Sequence, residues 1–203
     1  MYIPATNKFE DEQQAISFMQ HYSFATIITV KNGFPTATHL PFIVKQVGDQ
    51  IILRSHFAKA NPQAADIIDN NALVIFTEPH AYISPKHYEK VQSVPTWNYL
   101  AVHAYGKCVL LDGAESKLSL LEETINYYEA DYLKQWQGLP DTFKQNMMQG
   151  IVAFEIEVND LQAKSKLSQN KTKQERDSII NELCRAENSN EKDIAKYMSS
   201  LKS

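Results

Sequence analysis

The stretch "FATIITVKNGFPTATHLPFIV", residues 24–44, decides the fold. "FATIITV" (24–30) reads as a strand, "KNG" (31–33) as a turn signal and "PTATHLPFIV" (35–44) as the returning partner. A hairpin this early implies neighbouring strands joined by tight turns rather than by crossover helices. Working outward, "VGDQ" (47–50) makes a second turn and "IILRS" (51–55) a third strand that ends at Arg54 and Ser55. "KANPQAADIIDNN" (59–71) is a short helix, with Asn61 suited to the N-cap and Pro62 to the first helical position. "ALVIFTE" (72–78) is a fourth strand, followed by the Tyr- and Pro-rich loop "PHAYISPKHYEKVQSVP" (79–95) and a long strand in "SVPTWNYLAVHAYGKCVLL" (93–111).

The remaining segments are mostly helical. "EDEQQAISFMQHY" (10–22) carries Ala15, Ile16 and Met19 at helical spacing. "AESKLSLLEETINYYEADYL" (114–133) puts Leu118, Leu121, Ile125 and Tyr128 on one face, and "PDTFKQNMMQG" (140–150) starts on Pro-Asp and stops at Gly150. "IVAFEIEV" (151–158) alternates and returns to the sheet, and the charged tail from Lys164 predicts two helices broken near "ENSN" (187–190). Hairpin-linked strands, a helical insert before the last of them and a helical tail predict an α+β barrel, not a doubly wound parallel sheet. The expected organisation is one domain over 1–203 with 162–203 as a helical appendage.

Composition narrows the class. With 203 residues, 43% hydrophobic and 22% charged, the chain has the balance of a globular domain. Its apolar runs fall far short of the roughly 20 residues a membrane helix needs. "MYIPATNKFEDEQQ" lacks the basic region and apolar core of a signal peptide. Cys108 and Cys184 lie far apart with no Cys-x-x-Cys spacing, which points to free thiols in a reducing cytoplasm. A net charge of −4 argues against a surface made for DNA. The histidines show no metal spacing, and no nucleophile–base arrangement can be read from the chain.

Three clusters carry possible chemistry. In "LRSHFAKANPQ" (53–63), Arg54, Ser55 and Lys59 offer two cations and a hydroxyl beside the start of a helix at Asn61, the donor mixture a phosphate wants. A plain capped helix with solvated cations accounts for the same residues. In the strand lead-in, Trp97 and Tyr99 alternate about Asn98, so both rings project to one face and Asn98 to the other. They suit stacking and edge recognition, or simply a core Trp and an interface Tyr. "KLSQN" (166–170) sets Lys166, Ser168, Gln169 and Asn170 in a row just before a helix, where a polar loop is the plainer reading.

The order "MYIP" (1–4), "ATHLPF" (37–42), "KANPQ" (59–63), "FTEPHAYISP" (76–85), "VPTWNY" (94–99) and "KLSQN" resembles the PaiB-like proteins, a family of FMN-binding negative transcriptional regulators also described as protease synthase and sporulation regulators. The resemblance spans nearly the whole chain. It implies a split β-barrel of the pyridoxamine-phosphate-oxidase type, cytoplasmic and homodimeric, with FMN between subunits. By that resemblance Arg54, Ser55, Lys59 and Asn61 would surround the flavin phosphate, and Thr38, His39 and Leu40 would lie along the ring. Trp97, Asn98, Tyr99, Lys166, Ser168 and Gln169 would approach the same cofactor, with Trp97 and Tyr99 at its ring and Asn98 and Gln169 at its polar edge. The function implied is regulation by an FMN-binding protein, with weakly supported DNA binding. The second reading is an FMN-dependent oxidoreductase acting on an unknown small molecule, with His39, His56 or Tyr82 as proton donor. A third is a flavin-free structural dimer.

Overall fold

Asn32 and Gly33 hold φ values of +51° and +82°, the paired left-handed backbone of a hairpin turn whose twist matches its strands. That turn joins β1 (Phe24–Lys31) to β2 (Phe34–Pro41), with Phe24 opposite Pro41 and Lys31 opposite Phe34. Upstream lies α1 (Glu12–His21). The computed structural model describes residues 1–9, 11–67 and 70–201; Glu10 of the expected first helix lies outside them, as do residues 202–203 of the tail. After β2 come β3 (Ile43–Val47), β4 (Gln50–Ala58), α2 (Gln63–Asp66), β5 (Asn71–Phe76), β6 (His80–Ile83) and β7 (Thr96–Leu110). The helical insert is α3 (Ala114–Glu129), α4 (Tyr132–Gln137) and α5 (Asp141–Gln149), followed by β8 (Ile151–Lys166), α6 (Lys173–Leu183) and α7 (Ser189–Ser199).

The chain forms two compact units, one of Ile16–Phe76 with His103–Leu161 and one of Met1–Ala15, Thr77–Val102 and Gln162–Ser203. We call these the barrel unit and the terminal unit; β7 and β8 contribute residues to both.

In the barrel unit the strand order is β2-β1-β5-β7-β8-β4-β3. β2 and β3 stand at opposite ends of that order, yet only Phe42 separates them in the chain. Consecutive Cα atoms are about 3.8 Å apart, so the two ends of the sheet must meet. The sheet therefore curls into a split barrel, and the Ser55 hydroxyl donates to the Pro41 carbonyl at 2.6 Å across the closure. Inside, Phe42 packs edge-on to Phe76 and Phe154, with ring centroids 6.0 and 6.3 Å apart, and Phe57 stacks on Phe154 at 5.1 Å. Gly106 of β7 passes so close to β8 that a Cβ there would sit 2.2 Å from the Glu157 carbonyl oxygen. The fold is thus an α+β split β-barrel with a helical insert and C-terminal helices.

The terminal unit is built on the hairpin of β6 with the start of β7, where Ala81 faces Asn98 and Tyr82 faces Trp97. Ala81 and Ile83 turn inward, and α7 packs on β6 through buried residues that include Ile194, Ala195 and Met198. Thr172 and Glu175 form a reciprocal capping box that starts α6.

Several boundaries differ from expectation for identifiable reasons. The stretch 35–44 is two strands, because the closure at Phe42 moves the chain from one end of the sheet to the other. The strand expected to stop at Ser55 runs to Ala58: Ile51, Leu53, Ser55 and Phe57 all point inward, so the period of two continues through the polar "RSH". Arg54 and Ser55 are therefore strand-interior residues. The helix expected over 59–71 crosses residues 68 and 69, which lie outside the described residues; what is described is the four-residue α2, with Pro62 rather than Asn61 as its N-cap. β6 lies in what read as loop, and β8 extends eight residues past Val158 to Lys166.

Candidate functional site

In the barrel unit, a corner forms where β2 meets the segment after β4. Thr38 donates from Oγ1 to Gln63 Oε1 at 2.6 Å and accepts from Asn61 Nδ2 at 3.1 Å. Asn61 Oδ1 accepts from the Gln63 backbone N–H at 2.9 Å, so its carbonyl closes a local turn while its amide reaches across to β2. Gln63, 1% exposed, donates from Nε2 to Thr29 Oγ1 at 3.1 Å and to the Thr36 carbonyl at 3.0 Å. This glutamine was not singled out in the sequence, although it closes the quoted "KANPQ"; its place directly after the Asn-Pro that precedes the helix was the available signal.

The two cations expected here are not equivalent. Arg54, opposite Glu155 in the strand register, donates to Glu155 at 3.0 Å and to Glu123 of α3 at 3.1 Å. Burial works against its charge, but the hydrogen bond to Glu155 and the charge of Glu123 more than offset it, raising the pKa. Burial likewise acts to raise the Glu123 pKa, and the hydrogen bond and charge of Lys45, then the charge of Arg54, override it and hold the carboxyl below its usual range. Arg54 is thus already neutralised. Lys59 is exposed and has no ion pair among the described residues; its backbone N–H donates to the Gly150 carbonyl at 2.8 Å. Ser55, 3% exposed, spends its hydroxyl on Pro41. With α2 only four residues long, its dipole is slight, so the donors of this corner are side chains.

β2 beside this corner is open. Phe34 to Ala37 are exposed on both faces, and His39 stacks on the exposed Phe24 at 6.4 Å while its Nδ1 meets Thr26 Oγ1 at 2.9 Å. Thr38 and Leu40 are half-buried.

In the terminal unit, strand alternation separates residues expected to share one ligand. Asn98 is fully buried, its Oδ1 accepting from Ser168 Oγ at 3.0 Å and its Nδ2 donating to the Met198 thioether at 3.4 Å. Trp97 and Tyr99 point the other way. Trp97 sits edge-on to Tyr82 at 5.8 Å, and Tyr99 lies beneath the Lys164 ammonium at 5.2 Å. Gln169 is consumed by its own loop, accepting from the Leu167 N–H at 2.8 Å and donating to the Ser165 carbonyl at 2.5 Å. Lys166 donates to Thr96 Oγ1. On the Asn98 side lies a cavity of about 330 Å³ lined by residues that include Tyr88, Thr96, Asn98, Lys166, Ser168 and Lys171. Among the described residues, no group of three or more His, Cys, Asp or Glu is placed to hold a metal, and no helix is long and apolar enough to cross a membrane.

Residues 1–160 match the family model described as "Putative FMN-binding domain". The chain is 38% identical over 202 residues, covering 98% of itself and 96% of the relative, to protease synthase and sporulation protein PAI 2 of Bacillus subtilis (strain 168). Among solved structures it resembles the FAD and heme binding protein from Mycobacterium smegmatis, with a TM-score of 0.61 at 13% identity, covering 79% of this chain and 73% of that one. It also resembles the flavocytochrome Anf3 from Azotobacter vinelandii, with a TM-score of 0.60 at 14% identity over 77% and 68% of the two chains. At such identities these likenesses speak for the fold alone. The near full-length match to the Bacillus subtilis relative carries more: this chain belongs to the PaiB-like family of FMN-binding proteins.

Proposed function

We propose that the protein holds FMN on the barrel unit, with the phosphate at Lys59 and the ring along β2 at Thr38, His39 and Leu40. The observation that carries this reading is the unpaired ammonium of Lys59, two residues from the Asn61–Thr38–Gln63 network. A phosphate monoester needs charge-assisted donors that are not already spent. Arg54 and Ser55, both committed elsewhere, serve to hold the strand beneath. When bound, FMN would supply redox chemistry; the chain's part is to neutralise the phosphate and to orient the ring. The test compares FMN with riboflavin at low salt. FMN should bind at least tenfold more tightly, and equal affinities would remove the phosphate from this corner.

The open β2 supports a homodimer with the flavin at the subunit interface. Exposed Phe24 and Phe34 beside a strand uncovered on both faces form an apolar edge of the kind that pairs with a second chain. Trp97 and Tyr99, on the outward face of β7, are aromatic residues of the terminal unit of the kind that contacts a planar ring.

A regulatory role, implied by the family resemblance, is part of the proposal, exercised without reading a DNA groove. The most basic stretch, "KSKLSQNKTKQER" (164–176), holds its lysines against the protein's own side chains: Lys164 near Tyr2 and Tyr99, Lys166 on Thr96, Lys171 over Tyr88 and Lys173 on Asp177. Held in this way, they are poorly placed to track the backbone of a duplex. Binding to duplex DNA should match that of a neutral control protein at low salt; tight, steeply salt-dependent binding would contradict it.

A further inference from the structure

The terminal-unit cavity has a donor set with no counterpart. Lys166 keeps two N–H groups after its bond to Thr96, and Lys171 keeps its donors while its ammonium lies 3.5 Å from the centre of the Tyr88 ring. Tyr88 Oη is buried and has no hydrogen-bond partner among the described residues. Burial first, then the charge of Glu175, raises its pKa, so the hydroxyl stays a donor. Asn98 has found only a thioether for its buried amide, a weak acceptor that leaves donor capacity over. No residue lining the cavity is acidic. The volume of about 330 Å³ lies at the small end of small-molecule sites.

From this we infer that the cavity bounded by Tyr88, Asn98, Lys166, Ser168 and Lys171 binds a small organic anion, a carboxylate or phosphate ester, as a ligand separate from FMN. Two ammonium groups, a phenol and an amide belong to residues that line it. Glu175, whose charge reaches Lys171 and Tyr88, is not among the lining residues and has its two oxygens on the Glu89 and Thr172 N–H groups, so an anion with several acceptor oxygens is what satisfies the remaining donors together. Gln169 takes no part: its amide shapes the loop that presents Ser168, which is held at φ +59°. The inference rests on FMN lying on the barrel unit, as proposed above.

The experiment is calorimetric titration of the FMN-loaded full chain with inorganic phosphate, pyrophosphate and succinate, alongside Lys171→Met and Lys166→Met. Saturable binding of at least one probe is expected at about 1 mM or tighter. Each variant should weaken it tenfold or more and leave bound flavin absorbance unchanged. Preference for pyrophosphate over succinate identifies a phosphate ester, and the reverse preference a carboxylate. Because Lys166→Met also removes the donor to Thr96, Lys171→Met, which keeps an apolar stem over Tyr88, decides alone if the other variant fails to fold. The inference is overturned if no probe saturates, if Lys171→Met binds as wild type does, or if the probes displace FMN, which would make this the flavin's own phosphate site.

Discussion

Lys59→Ala and Arg54→Ala separate a ligand-binding cation from a structural one only a few residues away. Lys59 is exposed and unpaired, so its removal should cost the folded protein nothing measurable. It should cost FMN affinity about 1.5 kcal/mol, the lower end of the range for a hydrogen bond to a charged group because solvent screens it. That is roughly a tenfold rise in Kd. Riboflavin affinity should be unchanged, so the gap between the two flavins closes. Arg54 behaves oppositely. Its side chain is 25% exposed and its partners Glu155 and Glu123 are 17% and 25% exposed, between the limits of surface and buried pairs. Glu123 keeps Lys45 at 2.8 Å, but Glu155 loses its partner, and a loss of about 2 kcal/mol in stability follows. Flavin fluorescence titration and urea unfolding of both variants read the two quantities. The reasoning is refuted if Lys59→Ala binds FMN as wild type does, or if Arg54→Ala unfolds at the wild-type urea midpoint.

Other substitutions probe the frame. Gly106→Ala drives a methyl into the Glu157 backbone and the Ile156 side chain and should cost about 1–3 kcal/mol or more in urea unfolding; a wild-type midpoint would mean that β7 and β8 do not approach as described. Gln63→Ala strands buried Thr29 and the Thr36 carbonyl and should destabilise by about 1–3 kcal/mol while also weakening FMN, since Thr38 loses the acceptor that fixes its hydroxyl, whereas Asn61 keeps the backbone N–H of residue 63; unaltered stability would contradict the network. Glu123 has a folded-state pKa below its unfolded value of about 4.3. Its contribution is therefore complete above that value and lost as pH falls through the folded one, so Glu123→Gln should flatten the acid side of a stability–pH curve. An identical acid limb in the variant would refute it.

The hairpins were legible because turn chemistry is local: Asn32-Gly33 needs positive φ at both positions, and the sequence shows it. The barrel's closure was not, because a single Phe between two strands looks like continuous strand until the two ends of the sheet are known. Arg54 and Lys59 look alike in sequence; only register, which sets Glu155 opposite Arg54, and the packing of α3, which brings Glu123, distinguish them. The opposed faces of Trp97 and Asn98 were readable from strand alternation, and alternation alone argued against assigning both to one ligand. The helix after Lys59 was overestimated because a good N-cap signal says where a helix begins and nothing about how far it runs.

The most direct measurement is the visible absorbance spectrum of the purified chain after incubation with FMN and gel filtration. Flavin bands that travel with the protein at about one FMN per chain are the predicted result. A colourless protein, with all FMN eluting in the small-molecule fraction, would contradict flavin binding by this chain.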